Sequence, residues 1–112
     1  MDKTEIYLNY IKNACEIIQQ LIEGMELGSF TSDGQCQAAV IQGIEMIGDA
    51  AGNIDLTFQE KHGEIPWNQM IGMRNRLIHD YNEIDIDLVW QTIQKDIPEL
   101  LRKINCILEE ET

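Results

Sequence analysis

The spacing of apolar residues is the feature that most constrains how this chain folds. In four successive stretches the apolar side chains recur every three or four residues, the period of an amphipathic helix, and the alternation typical of strands occurs nowhere. We therefore predict an all-α fold, an antiparallel up-down bundle of four main helices plus short helical pieces. The repeating residues include Ile11, Ala14 and Ile18; Val40, Ile44 and Ile47; Trp67, Met70 and Leu77; and Leu100, Ile104 and Ile107.

One side of the second stretch consists of small residues, namely Gly43, Gly48, Ala50 and Ala51. A glycine inside a helix costs about 1 kcal/mol relative to alanine, so glycines here need a compensating reason. Close packing against another helix supplies one. We predict that a neighbouring helix approaches this face closely.

The helix ends are marked by prolines and acidic residues. Pro66 suits the first turn of the third main helix, which we expect to run to about His79. Asp85 or Asp87 is expected to cap the next helix. The sequence Asp96-Ile97-Pro98-Glu99 is also typical of a helix start, with a proline in the first turn. We therefore expect a bend or a new helix at Pro98.

The length of 112 residues predicts one domain covering 1–112. Asp and Glu number 20 against 8 Lys and Arg, so the net charge is −12 and a broad basic face for nucleic acid is excluded. Any contact with RNA must use a small local cluster of basic residues.

The three cysteines, Cys15, Cys36 and Cys106, have neither disulfide-framework nor metal-ligand spacing. With no signal peptide and no membrane span in the sequence, we predict a cytoplasmic protein.

The segment 72–81 holds the densest chemical signal, because it combines Arg74, Arg76 and His79 in an otherwise acidic chain. On a continuous helix Arg74 and His79 would lie roughly 140° apart around the axis. Two arrangements would relieve this separation: the helix ends near His79, or a symmetric partner brings a second copy of the motif across a two-fold axis.

An arginine beside a histidine suits cleavage of an RNA phosphodiester by its own 2′-hydroxyl. Histidine transfers protons near neutral pH, and a guanidinium stabilises charge on the phosphate oxygens, so neither a metal nor a cofactor is required. A purely structural interpretation remains open at this point, in which Arg74 pairs with a carboxylate and His79 ends the helix. Tyr81 equally suits a core position.

The chain as a whole resembles a HepT-like protein of the HEPN superfamily, the toxin of a toxin–antitoxin pair encoded beside a minimal nucleotidyltransferase. The resemblance is carried by Ile65-Pro66-Trp67, by Ile71 to Tyr81, and by Val89-Trp90 followed by Asp96 to Leu100. Residues 39–51 also resemble the second long helix of that family. The similarity thus spans nearly all of the sequence.

This resemblance implies a metal-independent endoribonuclease that acts on tRNA or mRNA. It assigns Arg74 and His79 as the catalytic residues, in a cleft between the two protomers of a homodimer. Asn75 is the polar residue that follows the arginine, and we expect Asn75 and Arg76 to contact RNA. Tyr81 corresponds to the tyrosine to which the cognate nucleotidyltransferase antitoxin attaches AMP.

Alternatives from other functional classes remain. The chain could be a non-catalytic helical subunit that binds a nucleotide or a protein and partners a nucleotidyltransferase, or a structural dimerisation domain. Glu45 and Asp49 lie one helical turn apart, so they could form an acid pair or a metal site. We prefer a structural role for them, such as holding Arg74 or Arg76. His62 is expected in an exposed loop, and Trp67 and Trp90 in the core.

Overall fold

The chain forms a helical bundle, seen in a computed structural model that describes residues 3–110, with the side chain of Tyr81 outside the description. No strand occurs within these residues. The helices are α1 (Lys3–Ile22), α2 (Leu27–Thr31), α3 (Gly34–Asn53), α4 (Leu56–Lys61), α5 (Trp67–His79), α6 (Ile86–Gln91) and α7 (Ile97–Glu110), with a 3-10 turn at Tyr81–Glu83 and a π-helical segment at Thr92–Asp96. The predicted all-α fold is confirmed. The four main helices are α1, α3, α5 and the run from α6 to α7.

The helix α3 is central, because it packs against both α1 and α5. The helix α1 packs in addition against α7. The apolar stripes predicted from the sequence supply one connected core, in which the largest fully buried side chains are Phe30, Leu8, Ile11, Ile18, Ile93, Ile104 and Ile107. The core therefore holds the helix that carries the basic motif, α5, against α3.

Two glycines of α3 allow the close approach that the sequence predicted. A Cβ atom on Gly43 would lie 3.0 Å from the Ile18 side chain of α1. A Cβ atom on Gly48 would overlap the Cβ atom of Arg74 and lie 2.9 Å from the carbonyl oxygen of Met70. The helix α5 therefore crosses α3 at a distance that only glycine permits at position 48.

The helix starts agree closely with the sequence pattern. Asp85 is the cap of α6, and its carboxylate accepts a hydrogen bond of 3.1 Å from the backbone N–H of Leu88. Pro66 immediately precedes α5, and its carbonyl accepts a hydrogen bond from the N–H of Met70. Both segments flanking the basic motif are thus fixed by local sequence.

The run from α6 to α7 stays helical through a change of hydrogen-bond register. The N–H of Ile97 bonds to the carbonyl of Thr92, five residues earlier, which is the π-helical pattern. Pro98 follows at once, lacks an N–H and would crowd the carbonyl four residues before it in a regular α-helix. The wider π turns accommodate this proline, so α7 begins at Ile97 as a new helix with no intervening loop.

Among the described helices, none combines the length and the apolar character that crossing a lipid bilayer would demand.

The contact at Gly48 predicts a clear difference between two glycine substitutions in α3. Gly48→Ala forces α3 and α5 apart and should lower the free energy of unfolding by about 1–3 kcal/mol, the usual cost of overpacking. Gly52→Ala, where a Cβ atom meets nothing within 4 Å, should raise it by up to about 1 kcal/mol. Urea unfolding measures both. A stabilising Gly48→Ala would contradict the packing described.

Candidate active site

Arg74 lies on the side of α5 that faces α3. It shares that side with Met70 and Leu77, both buried. Its Cβ and Cγ atoms pass over Gly48, where the missing side chain leaves room for them. The side chain as a whole is 36% exposed, so the stem is enclosed while the outer guanidinium reaches the surface.

Asp49 fixes the inner edge of this guanidinium. Its Oδ1 atom lies 2.6 Å from Nε of Arg74. Nε is buried, and the N–H direction falls short of hydrogen-bond alignment, so the contact is an ion pair. The structural role predicted for Asp49 is thereby confirmed, whereas no ion pair joins Glu45 to either arginine within residues 3–110. No group of three His, Cys, Asp or Glu side chains in that range is placed to hold a metal ion.

Asn75 links Arg74 to the exposed side of α5. The Nη1 atom of Arg74 donates a hydrogen bond of 2.8 Å to Oδ1 of Asn75. Asn75 is exposed and precedes His79 by four residues, so the two lie roughly 40° apart around the helix axis. Asn75 therefore stands between the arginine and the histidine of the motif.

His79 is the last residue of α5 and is exposed. In the described part of the chain its ring makes no hydrogen bond and no ion pair. Because both residues still belong to the helix, Arg74 and His79 stay roughly 140° apart. Ending the helix at His79 thus does not bring them together within one chain. Of the two arrangements that the sequence left open, the helix end is thereby excluded, and the symmetric partner stays a prediction.

Arg76 shares the exposed side of α5 with His79, at roughly 60° around the axis. Its guanidinium is without an ion pair among the residues the structure describes. It also lines a cavity of about 430 Å³ between α3, α5 and the run from α6 to α7, together with Met73, Thr92 and Asp96. Arg74 and His79 do not line this cavity. An unpaired arginine is thus available to an anion close to His79.

Tyr81 begins the 3-10 turn that follows α5. Its side chain is outside the described part of the structure, so the modification assigned to it stays a prediction.

The sequence expectation for His62 was wrong. It is 7% exposed at the end of α4, and its ring lies 4.5 Å from that of Phe58. Its carbonyl accepts a hydrogen bond of 3.0 Å from Nε1 of Trp67, which is buried as predicted. The available signal was the spacing of Phe58 and His62, one helical turn apart, which puts both rings on one side of a short helix.

The chain matches the family described as ribonuclease HepT-like over residues 11–107. It is 36% identical over 105 residues to a protein named as a candidate RNase from Caldanaerobacter subterraneus, with 94% of each chain covered. It is 40% identical over 97 residues to a probable ribonuclease HepT from Thermococcus cleftensis, with 87% of this chain and 88% of the relative covered.

A third relative is longer. A protein of Methanocaldococcus jannaschii, named as a gamma-glutamylcyclotransferase and candidate RNase, is 39% identical over 106 residues, which cover 95% of this chain and 48% of that protein. No solved structure matches the chain at a significant level. The family match and these relatives show that the chain belongs to the HepT-like ribonuclease family of the HEPN superfamily.

Proposed function

We propose that this protein is a homodimeric, metal-independent endoribonuclease that acts on tRNA or mRNA as the toxin partner of a minimal nucleotidyltransferase antitoxin. Membership of a ribonuclease family supports the activity. The observation that carries the site is the fixed direction of Arg74, which Gly48 and Asp49 hold toward α3 while His79 points elsewhere. A second copy of the motif across a two-fold axis gives Arg74 and His79 a common cleft.

His79 is the acid and base of the proposed reaction. The 2′-hydroxyl of the RNA attacks the adjacent phosphorus while one imidazole accepts its proton. The bond from phosphorus to the 5′-oxygen breaks, and a protonated imidazole, from the second His79 of the cleft, donates the proton that this oxygen needs. The products are a 2′,3′-cyclic phosphate and a free 5′-hydroxyl. The exposed ring of His79, at a helix end, leaves room for both transfers.

Arg74 stabilises the charge that builds up on the equatorial phosphate oxygens. Asp49 holds its Nε edge and Asn75 accepts one hydrogen from Nη1, so the remaining outer N–H groups are directed to solvent and to a phosphate. Fixing the guanidinium before RNA arrives lowers the ordering needed in the transition state.

The net charge of −12 requires that RNA binding be local. Arg74 and Arg76 of two protomers supply four guanidinium groups around the cleft. Distant carboxylates on the protein are partly screened, because the Debye length at physiological salt is about 8 Å. We assign Asn75 and Arg76 to RNA binding on this basis, since both are exposed beside His79.

Regulation by AMP attachment at Tyr81 completes the proposal and rests on the resemblance to the family. Tyr81 follows His79 by two residues. A bulky anionic adduct there would fill the space of the RNA and repel its phosphates.

Substitution of the two motif residues tests the ribonuclease proposal. His79→Ala should lower RNA cleavage by about 10²–10⁴-fold, the usual contribution of a general acid or base. Arg74→Ala should lower it by about 10²–10³-fold, the usual loss for one charge-stabilising group. Cleavage of a tRNA and an mRNA is measured by gel electrophoresis in the presence of EDTA.

The matched control is Arg102→Ala, because Arg102 is an exposed arginine on α7 that pairs with Glu99. It should cleave like the wild type, and all three variants should keep their helical circular dichroism. Full activity of purified Arg74→Ala or His79→Ala would reject the site. RNA binding without any product in the wild type would instead support the non-catalytic subunit.

Substitution of Asp49 tests its positioning role. An exposed ion pair contributes at most about 1 kcal/mol, so Asp49→Asn should lower kcat by about two- to fivefold and leave KM nearly unchanged. Glu45→Gln is the control, one helical turn earlier on α3. A higher kcat in Asp49→Asn would show that Asp49 competes with RNA for Arg74, contrary to the role proposed here.

A further inference from the structure

The helix α1 carries an exposed apolar stripe of Ile6, Tyr10, Ile17 and Leu21. At 100° per residue these four side chains fall within an arc of roughly 60° on the helix surface. They are four of the eight exposed large apolar side chains in the described part of the chain. Such concentration on one helix marks an interaction surface.

The stripe is symmetric about the middle of α1. Ile6 and Leu21 stand at equal distances in sequence from the midpoint between Asn13 and Ala14, and so do Tyr10 and Ile17. The exposure follows the same symmetry, at 38% for both outer residues and at 52% and 51% for the inner two. In an antiparallel pair of copies this spacing brings each residue opposite its counterpart, so that residue i meets j and j meets i, as an interface across a two-fold axis requires.

The charges on α1 favour a copy of this chain over a basic partner. Among its exposed residues in the range 3–22 there is no Asp or Glu, although the chain has 20 of them. The two glutamates of α1, Glu5 and Glu16, are half-buried and lie roughly 80° or more around the helix axis from every residue of the stripe. Asn13 and Gln20, both exposed, contribute uncharged amides beside the stripe, and Lys3 contributes one positive charge. Two copies can therefore meet here without the repulsion that their net charges of −12 would cause elsewhere.

We propose that α1 pairs with α1 of a second copy, antiparallel, across a two-fold axis beside Asn13. Ile6 then packs on the partner's Leu21, and Tyr10 on the partner's Ile17. The other side of α1 packs against α3 and α7, so the side that carries the stripe is the one left to a partner. Because α3 lies between α1 and α5, this interface is distinct from the proposed ribonuclease cleft. Both interfaces together give a closed dimer of dimers if their two-fold axes cross at right angles.

Replacing a central residue of the stripe by a charge tests the interface. In the α1–α1 pair, Ile17→Glu would bury an unpaired carboxylate and so break the interface. The mass of the assembly, measured by size-exclusion chromatography with light scattering, should fall to half. Leu56→Glu, which makes the same change at a residue of α4 that is 68% exposed, should leave the mass unchanged. An unchanged mass of Ile17→Glu, or a monomeric wild type, would overturn the proposal.

A cysteine cross-link tests the register. Asn13→Cys, in a background of Cys106→Ser, should form a disulfide-linked dimer under mild oxidation, because the two copies of residue 13 meet at the axis. Gln20→Cys is the matched control, since its two copies lie about 20 Å apart along the pair and should not link. Cys15 and Cys36 are buried, and burial raises the pKa of Cys15 to about 12, so neither competes.

Efficient linking through Gln20→Cys, or none through Asn13→Cys, would overturn the antiparallel register. RNA cleavage by Ile17→Glu is a separate readout, because this residue has no part in the proposed cleft. If Ile17→Glu loses the α1 contact but still cleaves RNA, both proposals are supported. If the wild type forms the α1 contact but does not cleave RNA, this interface is supported and the ribonuclease proposal is rejected.

Discussion

The crossing of α3 and α5 at Gly48 is the contact on which the candidate site depends. The absence of a side chain there lets the stem of Arg74 lie directly on α3, with Asp49 beside it to hold the guanidinium. This contact fixes the rotation of α5 about its own axis, and that rotation places His79 on the exposed side of the helix. The helical period separates Arg74 and His79 by roughly 140°, and the packing at Gly48 decides which of them faces α3 and which faces outward.

The sequence predicted much of this arrangement. The apolar period predicted the four main helices, the small residues predicted the close approach on α3, and the acidic spacing suggested that Asp49 holds an arginine. These features depend on neighbours along one helix or on side-chain size, which sequence displays directly. The burial of His62 was not predicted, because it depends on Phe58 and Trp67 coming together from two helices. The π-helical register before Pro98 also escaped prediction, since proline alone marks a disturbance and not its geometry.

The acidic net charge limits which parts of the surface can bind RNA or another protomer. The net charge of −12 repels both RNA and other copies of the protein. Two regions depart from this: the exposed side of α5, where Arg76 and His79 lie together, and the exposed stripe of α1, which has no acidic residue. In the proposed assembly the first region contacts RNA and the second contacts another protomer. Local composition, and not net charge, then sets what each face can bind.

The proposed activity requires that two copies of the motif share one cleft. Its most direct test is a crystal structure of the homodimer with an RNA whose 2′-hydroxyl is removed at the cleavage site, so that the strand remains intact. We predict that Arg74 and His79 from both protomers surround the same phosphate. Motif copies on opposite sides of the dimer, or a phosphate contacted by the motif of one protomer alone, would contradict it.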